Sequence, residues 1–450
     1  MTRVLVLATT TGYQTRAFGE AAERLGVELV FATDRCHLIE DPWQDGAIPI
    51  RFYDEDASVA AILDAGTVRP IDGILVVGDR PTVIAARVAE QLRLPWHPPA
   101  AAATARNKLL TRARLRDAGL NVPWFVPLAI DHEPSAISHQ PLTWPCVIKP
   151  VALSGSRGVM RANDERELAG ALERLRALMR SPDVRAERNE AHDTVLVEGF
   201  IPGREYALEG LMHQGELHVL AIFDKPDPLD GPFFEETIYL TPSAAPDGDR
   251  RAIVDAVTRA SHAIGLHHGP IHAECRVNLE GVFVLEVAAR PIGGLCSRAL
   301  TFVSPAQSQA SSPKSQVLSP LVPESPSPLE ELLLRHACGE AVHAWRRERD
   351  ASGVMMIPIP RRGIYRGVDG VEAARAVPHV DDVRITAKAD QLLLPLPEGA
   401  SYLGFIFARA AEPGGVDRAL RAAHARLAFA IDTELPVVAA AQINYNQQHG

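Results

Sequence analysis

The sequence predicts a multidomain α/β protein that begins with a Rossmann-like domain. The chain has 450 residues, more than one ordinary hydrophobic core can serve, so we expect roughly two to four domains. In the first hundred residues, strand-like apolar runs alternate with helical patterns, at 3–8, 14–25, 27–34, 72–79 and 81–92. Such alternation is typical of a parallel sheet. We therefore assign residues 1–100 to a Rossmann-like domain.

Composition and charge exclude several classes of protein. Hydrophobic residues make up 46% of the chain and charged residues 23%, which is typical of soluble globular proteins. The net charge of −10 and the pI near 5.9 argue against a nucleic-acid partner. No run of about twenty apolar residues occurs, so we expect no transmembrane helix and no membrane partner. The five cysteines are scattered and lack metal spacing, which indicates reduced thiols and a cytoplasmic location.

The remainder of the chain predicts a mixed domain, an insertion and a tail domain. Helical patterns and strand patterns intermix at 101–119, 144–150, 165–180, 194–203, 204–223 and 249–264. Residues 301–328 contain a serine-, proline- and glutamine-rich stretch, which we interpret as a disordered surface insertion, with a mobile lid as the alternative. Strand patterns near 353–360, 383–388 and 401–410 and a helix from Gly415 to about Ile431 predict an α+β domain at 329–450.

The segment from Ile271 to Arg290 predicts a hairpin with one apolar face and one charged face. The turn lies at Asn278–Gly281, with Gly281 suited to the left-handed position of a three-residue loop. The apolar face contains Ile271, Ala273, Cys275, Val277, Phe283, Leu285, Val287 and Ala289. The other face contains His272, Glu274, Arg276, Asn278, Glu286 and Arg290.

Two carboxylates on the charged face point to a metal ion. In this register Glu274 lies opposite Glu286, and like charges in a cross-strand pair repel each other. A divalent cation between them would remove the repulsion, and hard oxygen ligands suit Mg²⁺. Arg290, one step further, is placed to hold a phosphate. The alternative is a surface hairpin whose glutamates pair with Arg276 and Arg290.

A lysine followed by a loop of small residues indicates phosphate binding. Lys149 ends a strand, and the loop that follows contains Ser154, Gly155, Ser156 and Gly158. Small residues let backbone N–H groups approach phosphates closely. The alternative is an edge lysine with its ammonium group in water. The first turn of the chain, at 9–15, has a single glycine, so NAD binding is not expected.

From about Arg106 to Arg290 the chain resembles the ATP-grasp enzymes. The resemblance rests on the order of Lys108, Lys149, the small-residue loop, the VEGFIPG segment and the E-x-x-x-R ending. It implies a two-lobed ATP-grasp domain at 101–300, with the small lobe at about 125–197. It also implies ATP with Mg²⁺, or Mn²⁺ in its place, as cofactors. Many relatives have an asparagine two residues after the second metal glutamate, where this chain has Ala288.

The resemblance assigns roles to individual residues. Lys108, Lys149 and the small-residue loop would bind phosphates, and Glu198, Gly199, Phe200 and Ile201 resemble the hinge that holds adenine. Glu205 resembles the carboxylate that holds the ribose, and Glu274 and Glu286 resemble the magnesium ligands. From the residues alone, Lys108 could equally be a solvated helix residue and Glu198 a plain strand-end acid.

The end of the hairpin and the tail domain resemble L-amino acid ligases and related carboxylate–amine ligases. This resemblance implies ligation through an acyl phosphate, with small-molecule carboxylate and amine substrates, amino acids among them. Glu236, with Glu235 as its fallback, would meet the substrate's amino group, and Arg290 would stabilise the phosphate and the tetrahedral intermediate. A solvated loop glutamate is the alternative for Glu236. Family members often form dimers, so a homodimer is also expected.

Other interpretations stay open at this point. A biotin-carboxylase-like or purine-pathway ligase would use bicarbonate or a phosphorylated amine, and Arg361, Arg362 and Arg366 form a basic cluster in the tail domain. A non-catalytic ATP-binding protein is the alternative from another class, and Ala288 favours it. His267, His268 and His272 lack a matching ligand set, so we expect core or surface histidines rather than a metal site.

Overall fold

The N-terminal domain is a parallel sheet with helices packed against it. The computed structural model describes residues 1–9, 14–34, 47–131, 142–304 and 326–433. The strands are β1 (Arg3–Ala8), β2 (Glu28–Thr33), β3 (Ile48–Pro49) and β4 (Gly73–Val77), and the helices are α1 (Gln14–Leu25), α2 (Glu55–Val68) and α3 (Thr82–Leu92). The order β3-β2-β1-β4 is parallel throughout, as predicted. Helix α2 was not predicted; Asp54 caps its N-terminus by accepting from the Ala57 N–H.

Two helices replace the one predicted at 101–119. Helix α4 covers Pro99–Ala105 and helix α5 covers Lys108–Asp117. Asn107 separates them, because its side chain accepts from the Leu110 N–H at 3.0 Å and so starts a new helix. The break places Lys108 at the first position of α5.

The small lobe is an antiparallel sheet covered by one long helix. Its elements are β5 (Phe125–Ala129), β6 (Cys146–Pro150), β7 (Met160–Ala162), α6 (Glu165–Met179), α7 (Pro182–Arg185) and β8 (Thr194–Gly199). The strand order is β5-β8-β6-β7. Leu168, Leu172 and Leu175 recur at helical spacing on α6 and are buried against this sheet.

The largest sheet has eight strands. The next elements are β9 (Arg204–His213), β10 (Glu216–Asp224), β11 (Ile238–Thr241), α8 (Asp247–Ile264), β12 (Gly269–Asn278), β13 (Gly281–Ala288), β14 (Thr301–Val303), β15 (Ser327–Pro328), α9 (Leu329–Ala337) and β16 (Arg346–Arg347). The last are β17 (Ala351–Ile357), β18 (Gly363–Asp369), α10 (Val371–Arg375), β19 (Val380–Ile385), β20 (Leu392–Leu393), β21 (Gly404–Ala410), α11 (Pro413–His424) and β22 (Ala428–Asp432).

This sheet joins the central part of the chain to the tail. Its order is β13-β12-β9-β10-β11-β17-β21-β19, so β17, β21 and β19 extend the sheet that contains the hairpin. The domain boundaries predicted from the sequence stay a prediction. Most of the predicted insertion, residues 305–325, lies outside the described residues. No helix in the described ranges is long and apolar enough to cross a membrane.

The predicted tail helix is too long. Helix α11 ends at His424, and Ala428–Asp432 forms strand β22, which pairs with β18. The tertiary structure overrides the local helical pattern here, since β18 offers a free edge with which these residues make ladder hydrogen bonds.

Candidate active site

The predicted hairpin forms β12 and β13, and Glu274 is the register partner of Glu286. The turn is tighter than predicted, because the ladder closes at Asn278 and Gly281 around two residues. Gly281 has a φ of +116°, so it does need the conformational freedom of glycine.

A β-bulge changes which residues share a face of the hairpin. After the Glu274–Glu286 pair the register shifts, so Cys275 pairs with Val284 and Leu285 is the extra residue. Val284 therefore lies in the apolar core beneath the hairpin, whereas Leu285 lines the cavity above it. The prediction of Phe283 and Leu285 on the apolar face was wrong, since a bulge reverses the alternation for the residues beyond it.

A cavity of about 550 Å³ lies between the two lobes and the tail. The predicted site residues that line it are Lys108, Lys149, Ser154, Gly155, Ser156, Glu198, Phe200, Ile201, Glu205, Glu236, Glu274, Glu286 and Arg290. Glu236 is among the lining residues and its fallback Glu235 is not. The roles of these residues remain predictions, but the fold brings residues from distant parts of the chain to one cavity.

Gly158 does not line the cavity. Its N–H donates to the Pro397 carbonyl at 2.8 Å, and its φ is +77°. A Cβ at this position would lie 2.8 Å from Cδ1 of Leu175. The Gly158 N–H is therefore engaged by the tail rather than open to the cavity, and the glycine lets the loop pack against α6 and the tail. Its assignment to phosphate binding stays a prediction. Gly155 and Ser156, also at positive φ, do line the cavity.

Lys149 is held by a buried network of charges. Its ammonium group contacts Glu198, which also accepts from Nε of Arg112 at 2.7 Å and from Nη2 at 3.1 Å. Burial alone would raise the pKa of Glu198, but the charges of Arg112 and Lys149 outweigh it and lower the pKa to about 2. Burial lowers the pKa of Lys149 to about 8. The Glu198 side chain thus orients Lys149 rather than standing as an isolated strand-end acid.

Aromatic rings line the part of the cavity where adenine is predicted to bind. Phe200 stacks with Phe234 at 6.4 Å between ring centroids, and the guanidinium carbon of Arg161 lies 4.4 Å from the centroid of the Phe200 ring. The N–H of Phe200 donates to the Pro145 carbonyl at 3.0 Å. Phe200 therefore contributes its ring to the cavity rather than a backbone donor.

Three carboxylates converge at the other end of the cavity. Oxygens of Glu205, Glu236 and Glu274 lie within 4.8 Å of one another. The Lys225 ammonium group contacts all three, at 2.8 Å from Glu205 and 2.9 Å from Glu274. Burial and the Glu274 charge raise the pKa of Glu236 to about 7. Burial opposes ionisation of Glu274 as well, but Lys225 and His272 keep its pKa well below the usual value.

Three carboxylate oxygens this close together are the hard ligands that suit a divalent cation, and in this structure the Lys225 ammonium group supplies the positive charge between them. Glu286 lies apart from the carboxylate trio and contacts the Lys108 ammonium group at 3.3 Å. Lys108 also donates to the Leu153 carbonyl at 2.6 Å, so it is not a freely solvated lysine. The structure therefore adds Glu236 as a candidate metal ligand beside Glu274.

Arg290 is fixed by a residue of the N-terminal domain. Its Nε and Nη2 donate to the two carboxylate oxygens of Asp79 at 2.9 and 3.1 Å. Burial would lower the pKa of Arg290, but the Asp79 charge raises it, so the guanidinium stays charged. Asp79 follows β4, and ligands of parallel sheets bind at the carboxyl ends of strands.

Three family models match separate parts of the chain. They are an ATP-grasp N-terminal domain at residues 19–96, an ATP-grasp domain at 142–299 and an L-amino acid ligase C-terminal domain at 355–432. The chain belongs to the ATP-grasp superfamily. This membership confirms the predicted enzyme class, an ATP-grasp ligase that forms carbon–nitrogen bonds, and ATP with a divalent metal ion is general for the superfamily.

Relatives and solved structures agree with this assignment. The chain is 24% identical over 427 residues to the uncharacterized protein y4rH of Sinorhizobium fredii, covering 94% of this chain and 82% of that protein. It is 27% identical to alanine–anticapsin ligase of Bacillus subtilis, covering 53% of this chain and 52% of the ligase. The L-amino acid ligase structure from Bacillus licheniformis superposes with a TM-score of 0.78 at 26% identity, covering 96% and 99% of the two chains.

Several residues of this ATP-grasp site were missed in the sequence. Asp79, Arg112 and Lys225 carry no local signal, because each meets its partner only through the fold. Weak signals existed for two others: Arg276 and His272 lie on the charged face of the hairpin. Arg276 bonds Glu205 at 2.8 Å, and His272 contacts Glu209, which raises the pKa of His272 to about 9 against the effect of burial. His272 is buried, as expected of a core histidine, and it also lines the active-site cavity.

Proposed function

We propose that the protein is an ATP- and Mg²⁺-dependent ligase that joins the carboxylate of an amino acid to an amine. The strongest support is the cavity itself. It is lined by two lysines, three clustered carboxylates and an arginine: Lys108, Lys149, Glu205, Glu236, Glu274 and Arg290. In the proposed reaction, the substrate carboxylate oxygen attacks the γ-phosphorus of ATP, and the β–γ bond breaks to release ADP. The amine then attacks the acyl carbon, phosphate leaves and the amine loses a proton.

Lysines and a loop would hold the nucleotide. Lys149, oriented by Glu198, would contact the inner phosphates, while Ser154, Gly155 and Ser156 would approach the triphosphate with their backbone and hydroxyl groups. Lys108 would reach the outer phosphates from the first turn of α5. Phe200, Ile201 and Leu285 would enclose adenine, and Glu205 would hold the ribose.

Charge stabilisation would come from fixed groups. Mg²⁺ bound by Glu274 and Glu286 would neutralise phosphate oxygens. Arg290 would hold the transferring phosphoryl group and then the oxyanion of the tetrahedral intermediate. Asp79 keeps the planar guanidinium group of Arg290 in position for this role. No side-chain nucleophile is needed.

Amino-acid substrates follow from the relatives and from the acidic pocket. Alanine–anticapsin ligase, dapdiamide A synthase of Enterobacter agglomerans and carnosine synthase 1 of Gallus gallus are named among the relatives, each matched over about half of its length or less. In this chain Glu236 contacts the Lys225 ammonium group, and this contact with a cationic amine supports the assignment. We propose that Glu236 receives the substrate's ammonium group.

The basic cluster gives no support to a purine-type substrate. Arg366 pairs with Asp390 and Asp432, and Arg361 donates to the Ile431 carbonyl, so these side chains are engaged within the tail domain. We further propose a cytoplasmic location, because the reaction needs ATP and the described cysteines, Cys146, Cys275, Cys296 and Cys338, are free thiols. The expected homodimer stays a prediction.

The test is ADP release from ATP and Mg²⁺ in the presence of pooled amino acids, with mass spectrometry of the products. We expect ADP formation that requires both a carboxylate and an amine, and a product with the mass of a dipeptide or amide. Glu286→Ala should abolish it while circular dichroism shows an intact fold. The matched control is Glu280→Ala, an exposed residue in the turn of the same hairpin, which should keep full activity. Amine-dependent ADP release in Glu286→Ala would contradict the metal assignment.

A further inference from the structure

Three histidines from separate segments meet outside the ligase cavity. His213 ends β9, His268 lies just before β12, and His336 lies in the last turn of α9. One ligand nitrogen from each lies within 4.8 Å of the other two. His268 is four residues from His272, which lines the cavity, so the cluster lies about 13 Å from that part of the cavity.

The separation of two of these nitrogens fits a shared metal ion. Nδ1 of His213 and Nε2 of His336 are 3.2 Å apart. Two imidazole nitrogens bound tetrahedrally to zinc at about 2.0–2.1 Å stand roughly 3.3 Å apart. The ring of His268 stacks on that of His336 at 4.3 Å between centroids, and its ligand nitrogen lies within 4.8 Å of the other two, so binding of one ion by all three requires a rotation of a side chain.

The cluster is incompletely satisfied by the protein itself. His268 and His336 are 7% and 3% exposed, and Nδ1 of His268 is a buried polar atom for which the described residues supply no hydrogen-bond partner. A buried polar atom without a partner is costly. Burial and the neighbouring imidazoles lower the pKa of His268 to about 4 and of His336 to about 3. Neutral imidazoles keep the lone pair with which a histidine binds metal.

A row of imidazoles leads from this cluster to the surface. The ring of half-buried His218 is 6.2 Å from that of His213, and the ring of exposed His343 is 6.2 Å from that of His218. His97 and His267, although close in the fold, are engaged differently: the Nδ1 of His97 accepts from the His267 N–H, and His97 Nε2 contacts the Pro270 carbonyl. A metal ion would meet imidazole nitrogens at each step from the surface to the cluster.

We propose that His213, His268 and His336 form a binding site for one divalent transition-metal ion, with zinc as the probe. Imidazole ligands favour zinc, copper and nickel over Mg²⁺, so this site is chemically separate from the carboxylate site of the cavity. Three histidines leave a fourth position to water or to His218 after a side-chain movement. The ion would join the end of β9, the start of β12 and α9, and so stabilise the contact of α9 with the large sheet.

The experiment uses the full chain, purified without a histidine tag, stripped with a chelator and then equilibrated with one equivalent of Zn²⁺. After removal of free metal, we expect about one zinc per chain by elemental analysis, and a higher thermal unfolding midpoint than for the stripped protein. Glu274→Gln, which changes the carboxylate site, should retain the zinc. The control His267→Ala, an exposed neighbour of His268, should also retain it.

The variants that should lose zinc are His213→Ala and the double variant His268→Ala/His336→Ala. His213 is only half-buried, so its replacement keeps the test valid if the double variant does not fold. The expected result is a loss of at least tenfold in zinc affinity and of the zinc-dependent rise in unfolding midpoint. Zinc content equal to wild type in folded His213→Ala, or no zinc retained by the wild-type chain, would overturn the proposal and leave a hydrogen-bonded histidine pair.

Discussion

Asp79 and Arg290 form a bidentate ion pair between the N-terminal domain and the end of the hairpin, at 2.9 and 3.1 Å. The two residues are 211 positions apart in the chain. Asp79 itself lines the cavity, on the loop that follows β4. The N-terminal domain thus has a direct part in holding the arginine that we assign to the transferring phosphate.

Replacing Asp79 should therefore lower the rate more than the affinity for ATP. In Asp79→Asn the guanidinium loses its charged, two-point anchor, and a misplaced group can cost up to about 100-fold in rate. We expect a fall in kcat of about 10- to 100-fold with little change in KM for ATP. The control is Asp56→Asn, which breaks an exposed pair with Arg87. An unchanged kcat for Asp79→Asn would show that the pair is only structural.

Gly158→Ala should reduce stability and leave nucleotide binding nearly unchanged. The new Cβ would meet Leu175 at 2.8 Å, at a φ of +77° that alanine tolerates poorly, and we expect a loss of about 1–3 kcal/mol in the free energy of unfolding. Because the Gly158 N–H is bonded to Pro397, ADP affinity should stay within about twofold.

Chemical denaturation and ADP titration measure the two effects of this substitution. Gly170→Ala, at an exposed position on α6 with open space around it, should instead be neutral or slightly stabilising. A large loss of ADP affinity in Gly158→Ala with stability unchanged would support the assignment of Gly158 to phosphate binding.

Glu198→Gln should weaken both the fold and the nucleotide site. The change leaves Arg112 and Lys149 buried without their shared counter-charge, and breaking a buried ion pair typically costs about 3–5 kcal/mol. We expect a lower unfolding midpoint and weaker ADP binding, measured by thermal denaturation and calorimetry. If Glu198 acted through its backbone alone, glutamine would be tolerated and both measurements would match the wild type.

ADP affinity should depend on the charge of Lys149. Its pKa is about 8, because burial outweighs the attraction of Glu198. The protonated form carries the charge that attracts phosphate, so affinity is full below pH 8 and falls as pH rises through and above it, by at most about tenfold per pH unit. Calorimetric titrations across this range measure the effect. In Glu198→Gln the same fall should begin at lower pH, and a flat profile up to pH 10 in the wild type would contradict the prediction.

Local patterns in the sequence were sufficient for much of the fold. The alternation of strands and helices in the first hundred residues predicted the parallel sheet, and the alternation within Ile271–Arg290 predicted the Glu274–Glu286 pair. Both depend on periodicities that a strand or helix imposes on its own residues. The bulge after Glu274 and the strand at Ala428–Asp432 were missed, because each depends on a partner strand.

The sequence by itself determined the order of Lys108, Lys149, the small-residue loop and the Glu274–Glu286 pair. That order was sufficient to indicate the superfamily. Only the tertiary structure decided how the charges pair: Lys225 with three carboxylates, Glu198 with Arg112 and Lys149, and Arg290 with Asp79. It also brought together three histidines, one from β9, one from the residue before β12 and one from α9. Ion pairs and ligand sets depend on distances of a few ångströms, and the fold sets those distances between residues that are far apart in the chain.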